Sequence, residues 1–376
     1  MRGVTVASPG APYEVADDLP KPSPNENQVL VKSLFSGINP VETFMQSSGM
    51  MVTGWPVVLG CDASGEVVEV GKGVSKFKIG DHIYGCTRLG VPGYGTFQEY
   101  HLMDEKLAFK KPSNVSVEQA ATLGVGLLVS FPSSLFFPNH TSKVFLDADA
   151  KSSFKTASLG LIAGLGIEYP VAGETSKRDE WLIILGGSGS VGQYATQIAS
   201  LSGYQVLASC SPSKAQLCTA AGASATFDYK LPLEEQVSTI KSITGGNFIK
   251  VFDAGAASYA PAMEMLVKCS NGKKDGAKHF ASTDDWSPMS APERSSINIY
   301  RIRLGQIGRY GEGSEQEETC RVLEEAIVPL ERLVADGKIK PMEWEIIGHG
   351  FKDVASAVKL FDSGKLGGKK ALVKVA

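Results

Sequence analysis

The run Trp181-Leu182-Ile183-Ile184-Leu185-Gly186-Gly187-Ser188-Gly189-Ser190-Val191-Gly192 decides how this 376-residue chain is read. Five apolar residues end in a glycine-rich turn, and a helical pattern opens directly after it. Within the turn, Gly187-x-Gly189-x-x-Gly192 has dinucleotide-fingerprint spacing. The first glycine permits the tight turn, the second lets a pyrophosphate approach the backbone, and the third lets helix and strand pack closely. Phosphates then rest on the N–H groups and positive dipole end of the helix. Gly187, Ser188, Gly189, Ser190, Val191 and Gly192 are therefore the candidate cofactor loop. The competing reading is an incidental glycine turn.

Outward from this loop, strand-like runs at 181–185, 205–209, 225–228, 249–252, 277–281 and about 297–306 alternate with helical runs at 190–202, 213–221, 233–243 and 258–268. Such alternation predicts βαβ units on a doubly wound parallel sheet. Residues 1–110 instead hold short apolar runs broken by Gly and Pro, the pattern of a β-rich domain. A helix is expected over 117–128, a surface excursion over 130–155, a helix over 158–167 and a polar linker over 173–180. An amphipathic helix at 315–336, strands at 343–348 and 370–375, and a helix at 351–363 would return the chain to the first domain. The expected class is α/β, divided into 1–157 plus 315–376 and 158–314.

Composition excludes several functions. Lys plus Arg is 37 and Asp plus Glu is 40, a net charge of −3, and no basic block offers a phosphate-backbone footprint. General nucleic-acid binding is not expected. A 43% hydrophobic and 20% charged chain is globular rather than disordered. No run approaches the ~18 apolar residues that span a bilayer, and the N-terminus lacks the apolar core of a secretory signal. A cytoplasmic protein without membrane partners is expected. The six cysteines form no CxxC pair and read as free cytosolic thiols. Cys61 and Asp62 offer two metal ligands, and no third stands at convincing spacing, so no metal is expected. The five histidines form no triad, and no GxSxG elbow is present.

The cofactor can be read further. An NAD site carries an acidic residue about 20 residues past the loop. Here that segment, Gln205 to Lys214, has no carboxylate; it has Ser209, Ser211 and Lys214. Hydroxyls and an ammonium suit a 2′-phosphate, so NADP(H) is the expected cofactor. The alternative is that the three are solvated loop residues. Asp253-Ala254-Gly255, after Val251-Phe252, would line the nicotinamide side; a plain strand-end turn is the other reading.

The chain resembles the medium-chain dehydrogenase/reductase superfamily. The resemblance rests on Gly60-Cys61-Asp62-Ala63-Ser64-Gly65-Glu66-Val67, Val70-Gly71, Val74, Phe77-Lys78-Ile79-Gly80-Asp81, Tyr84-Gly85, Gly95-Thr96-Phe97-Gln98-Glu99-Tyr100 and Gly364-Lys365-Leu366-Gly367-Gly368-Lys369-Lys370. It implies a GroES-like substrate domain, a Rossmann domain and an active site in the cleft between them. Gly60-Cys61-Asp62 stands where zinc alcohol dehydrogenases have Gly-His-Glu, and the four-cysteine zinc lobe is missing. Asn39-Pro40-Val41-Glu42-Thr43 is similar to zinc-free quinone oxidoreductases and fungal trans-acting enoyl reductases. Ser211, Lys214 and Tyr229 match the 2′-phosphate residues of that branch, and Thr122 would lie beside the nicotinamide, with helix packing as its other reading. Thr43-Phe44 departs from the Trp-Lys of many fungal relatives, and Phe44 from the Tyr of many quinone reductases.

The resemblance implies NADPH-dependent reduction of the C=C bond of an α,β-unsaturated carbonyl compound, with hydride delivered to the β-carbon. Asn39 is the candidate polar group at the substrate end, or else a turn residue before Pro40. Quinone or alkenal reduction is one alternative. A cofactor-binding biosynthetic protein without reductase activity is another, motivated by the polar groups lost at 43–44. The substrate would be a small molecule, a carrier-bound polyketide among the options, and the chain a monomer or homodimer.

Overall fold

Glycine and proline punctuate the first third of the chain, and it folds as short strands around one longer one. A computed structural model describes residues 1–130, 161, 164–167, 176–271, 277–293 and 295–375. In order these are β1 (Gly3–Val6), β2 (Tyr13–Ala16), β3 (Gln28–Gly37), α1 (Pro40–Ser48), β4 (Val57–Val58), β5 (Asp62–Val70), β6 (His82–Cys86), β7 (Tyr100–Asp104) and β8 (Ala108–Lys110). Then come α2 (Val117–Ala120), α3 (Val125–Ser130), β9 (Trp181–Leu185), α4 (Ser190–Leu201), β10 (Gln205–Ser209), α5 (Ala215–Ala220), β11 (Ala225–Phe227) and α6 (Leu233–Thr244). The chain continues through β12 (Phe248–Asp253), α7 (Tyr259–Lys268), β13 (Lys278–Ser282), β14 (Ile297–Arg301), α8 (Ser314–Ala335), β15 (Trp344–His349), α9 (Val354–Asp362) and β16 (Lys370–Lys374).

The expected α/β class is what the protein has. One sheet runs β11-β10-β9-β12-β13-β14, with every pair parallel. The order reverses at β9, so the crevice beyond the carboxyl ends of β9 and β12 is the ligand position for this topology. Alternate side chains bury on opposite faces. Ile183, Leu207, Val251 and Phe280 join one core cluster, and Leu182, Ile184, Val206 and Phe252 the other. Such two-sided burial suits a parallel sheet covered by helices.

The second sheet runs β15-β16-β3-β5-β6-β8, with β7 also on β3. Its centre is β3, and the last strand of the chain, β16, pairs antiparallel with it through Leu372↔Gly37 and Val373↔Ser36. Residues from the two ends of the chain thereby meet beside the turn into α1.

Two expected elements differ. The helix expected over 117–128 is interrupted between α2 and α3, because the Val125 N–H donates to Asp62 Oδ1 at 2.6 Å instead of continuing a helical ladder. Gly124 fits there because a Cβ would lie 2.1 Å from the same oxygen. The strand expected to reach about 306 ends at Arg301, and a 3-10 turn follows at Leu304–Gln306. The excursion over 131–155 lies outside the described residues, as do most of the 158–167 helix and part of the 173–180 linker. Among the described residues, no helix is long and apolar enough to cross a membrane.

Candidate cofactor and active site

The glycine loop leaves β9 and enters α4 at the switch point. The loop is fastened to the next strand: Gly187 N–H donates to Ser209 O at 2.9 Å, and Gly186 N–H to Ser209 Oγ at 2.8 Å. Ser209 is thus a brace for the loop, 2% exposed. A Cβ on Gly192 would meet Gly186 O at 2.2 Å and Gly187 Cα at 2.7 Å, so the third glycine is required by backbone contact. Gly189 caps α4 in an extended conformation, which leaves the first helical N–H groups without intrahelical carbonyls. Ser190 Oγ is buried without a hydrogen-bond partner, beside Gly126. An orphaned hydroxyl at the start of a twelve-residue helix, above a backbone cradle, fits a bound pyrophosphate.

The residues expected at a 2′-phosphate emerge from neighbouring strands. β10 and β11 end in register at Ser209↔Phe227, and Cys210 N–H donates to Phe227 O at 3.0 Å. Ser211 and Tyr229 each stand two residues past these ends; Tyr229 is 53% exposed, and Ser211 Oγ lies 3.3 Å from Ser213 Oγ. Lys214 Nζ donates to Gly367 O at 2.6 Å. Gln193 Nε2 donates to Ser188 O at 2.9 Å and to Gly368 O at 3.1 Å. The C-terminal Gly364–Lys369 loop therefore lies against the cofactor loop, a contact that its glycines and lysines did not disclose in the sequence.

On the other side of β9, Ala254 N–H donates to Leu185 O at 2.9 Å, which carries the Asp253-Ala254-Gly255 turn to the glycine loop. Gly255 N lies 3.2 Å from where a Gly186 Cβ would be. Asp253 is fully buried. Its carboxylate accepts from Gly255 N–H, Ser258 N–H and Ser282 Oγ–H at 3.0–3.1 Å. Burial pushes its carboxyl above the ordinary range, and these hydrogen bonds oppose the shift. Asp253 shapes the turn; its oxygens are already engaged.

Asn39 sits in a buried polar cluster at the start of α1 and is 4% exposed. Its Nδ2 donates to Asp62 Oδ2 at 3.0 Å, and its Oδ1 accepts from Lys370 Nζ. Lys370 also pairs with Asp62 at 2.7 Å, both side chains essentially inaccessible. Glu42, three residues into the capping box, accepts from Asn39 N–H at 2.6 Å and Cys61 N–H at 3.1 Å. Burial, then the neighbouring Asp62 charge, pushes Glu42 up to about 7. The amide of Asn39 is thus committed to protein partners. The sequence missed Lys370 because it gains its meaning from the β3–β16 pairing, and Glu42 because its partner Cys61 is brought to it by the fold.

One expectation is corrected here. Cys86 supplies the third ligand atom that spacing did not reveal: Cys61, Asp62 and Cys86 offer atoms within 4.8 Å of one another. It arrives through the β5–β6 register, Asp62↔Cys86. The cluster is a poor fit for a metal ion. The Lys370 ammonium already neutralises Asp62, and the Cys86 contact and burial push the Cys61 thiol well above its ordinary value.

Thr122 is fully buried. Its hydroxyl donates to Gln119 O at 2.8 Å and lies 3.0 Å from Tyr194 Oη. Tyr194 Oη accepts Met342 N–H at 3.2 Å, so α4, the α2–α3 turn and the C-terminal part of the chain join there. The hydroxyl of Thr122 is used for packing.

Known proteins share this architecture. The profile of the alcohol dehydrogenase GroES-like domain matches residues 25–113. Dehydrogenase orsE of Emericella nidulans is 30% identical over 263 residues, 68% of this chain and 71% of that protein. The enoyl reductase component of the lovastatin nonaketide synthase of Aspergillus terreus is 26% identical over 372 residues, covering 95% of this chain and 91% of that protein. Among solved structures, Escherichia coli quinone oxidoreductase complexed with NADPH superposes with a TM-score of 0.70 at 22% identity, each chain covered in full.

Proposed function

The chain belongs to the medium-chain dehydrogenase/reductase superfamily, an oxidoreductase family, and on that premise we propose that it is an NADPH-dependent reductase of the C=C bond of α,β-unsaturated carbonyl compounds. The observation that carries the cofactor half is the segment at the end of β10: hydroxyls and one ammonium, with no carboxylate between 205 and 214 to repel a 2′-phosphate. The reaction half is supported by relatives named enoyl reductases.

Bound NADPH would supply the hydride that adds to the β-carbon. Gly187, Gly189 and the Ser190 hydroxyl would hold the pyrophosphate, with Gly192 packing α4 against the loop. Ser188 and Val191 shape the loop, and Ser209 braces it. Ser211, Lys214 and Tyr229 would receive the 2′-phosphate. Asp253, Ala254 and Gly255 would line the nicotinamide side. Asn39 and Thr122 are positioning residues, the first holding Lys370 against Asp62 and the second fixing Tyr194. The carbonyl oxygen that gains charge would need a hydrogen-bond donor, and water or a side chain would supply the α-proton. The protein would work in the cytoplasm without a metal, as a monomer or homodimer on a small molecule. Its substrate domain would comprise 1–157 and 315–376 and its cofactor domain 158–314.

Consumption of NADPH with a panel of enones, enoyl thioesters and quinones tests this. Oxidation with enones or enoyl thioesters is expected; preference for quinones favours the quinone reading. Binding of NADPH with no oxidation by any of them overturns the reductase and leaves a cofactor-binding protein. For cofactor choice, Lys214→Ala should weaken NADPH about tenfold, ~1.4 kcal/mol, and leave NADH unchanged. Equal affinity for both cofactors, unaltered by the substitution, removes the phosphate pocket.

A further inference from the structure

Two large apolar side chains stand exposed beside this site: Phe44 at 41% and Trp286 at 44%. Phe44 is on α1, the helix that Asn39 caps. Trp286 follows β13, the strand beside that of Asp253. Their ring centroids are 5.3 Å apart with planes inclined by 40°. Neither side chain belongs to the buried apolar clusters among the described residues.

The backbone on either side of the pair is held by hydrogen bonds. Asp284, 4% exposed, accepts Trp286 N–H at 3.1 Å and Ser287 N–H at 2.9 Å. Asp284 N–H donates to Ser282 Oγ at 3.0 Å, and that hydroxyl donates to Asp253 at 3.0 Å. One hydrogen-bonded path therefore runs from Asp253 to the backbone N–H of Trp286. Opposite, Glu42 fixes the first turn of α1, and Thr43 Oγ1 donates to Asp362 at 2.9 Å. Paired aromatic faces that leave apolar area in water, at the carboxyl edge of a parallel sheet, are a receptor for apolar ligand surface. The departure at Phe44 fits: an ammonium or a phenol there would prefer water or a polar ligand.

We infer that the Phe44–Trp286 pair is the apolar wall that receives the hydrocarbon chain of the substrate, so that long-chain α,β-unsaturated acyl compounds are favoured over short enals and small quinones. The inference rests on the proposed reductase reading for the identity of the reacting group, and its test is a binding measurement that needs no turnover. Saturated butanoyl, hexanoyl, octanoyl and decanoyl thioesters are titrated calorimetrically into the NADP-loaded protein, its Trp286→Ala variant and its Phe44→Ala variant. Affinity should rise along the series in the parent. Trp286→Ala should flatten the rise, with about a tenfold loss on the longest chain and little on the shortest. Phe44→Leu, which keeps an apolar surface, should restore most of what Phe44→Ala loses. Affinity that does not depend on chain length, or a dependence that survives both alanine variants with unchanged thermal midpoints, overturns the wall. Failure of the reductase reading would appear separately, as no oxidation of NADPH by the unsaturated panel while the chain-dependent binding persists.

Discussion

The cofactor cradle and the Asn39–Asp62–Lys370 cluster are both polar and both lie next to glycine-bearing turns, yet they treat their polar atoms in opposite ways. The cradle leaves Ser190 Oγ, at the start of α4, buried without a partner. The cluster leaves little spare: Asp62 alone takes hydrogen bonds from Asn39, Lys370 and Val125. Unsatisfied buried groups are costly unless a ligand completes them, whereas a completed buried network fixes geometry. The difference separates a receptive surface from a frame. It also reassigns Asn39, which by sequence could serve either, to the frame.

The contrast can be broken deliberately. Lys370→Ala should have the largest effect, about 3–5 kcal/mol of stability in chemical denaturation, because it strands a buried carboxylate. Pairing it with Asp62→Asn should recover part of that loss; no recovery would mean the pair is not the origin. In the cradle, Gly192→Ala should weaken NADPH about 100-fold, ~2.7 kcal/mol, in a fluorescence titration, with the circular dichroism spectrum retained. Unchanged binding would show that the loop tolerates the 2.2 Å approach to Gly186 O. Glu42 adds a pH dependence. Its folded value of about 7 exceeds the ordinary 4.5, so the folded state holds a proton that the unfolded chain has released between those values. Stability from this group is full below pH 4.5 and falls as pH rises to about 7. Glu42→Gln should flatten the thermal midpoint across that window; an unchanged slope would place the titration elsewhere.

The parallel-sheet half was legible because its signals are local. A strand, a glycine turn and a helix follow one another within Trp181 to Leu201, and the chain spells out the spacing. The frame was not legible for the opposite reason. Lys370 meets Asn39 across 331 positions, and Cys86 meets Asp62 only through strand register. The break at Thr122–Gly124 was hidden likewise: the sequence reads as a continuous helix, and the competing acceptor, Asp62, lies 63 positions upstream of Val125. Trp286 carried no pattern at all; its place depends on Asp284 and the neighbouring strand end.

The pairing of β16 with β3 has a consequence for synthesis of the protein. Asp62 is made 308 positions before its cation, Lys370. Lys214 likewise precedes the Gly367 carbonyl that anchors it by 153 positions. Until Lys370 is made, the nascent chain carries a carboxylate whose counter-ion has not yet been built, and β3 lacks β16 as a neighbour. A chain truncated before Lys370 would thus carry an intact glycine fingerprint on a protein whose frame never closes.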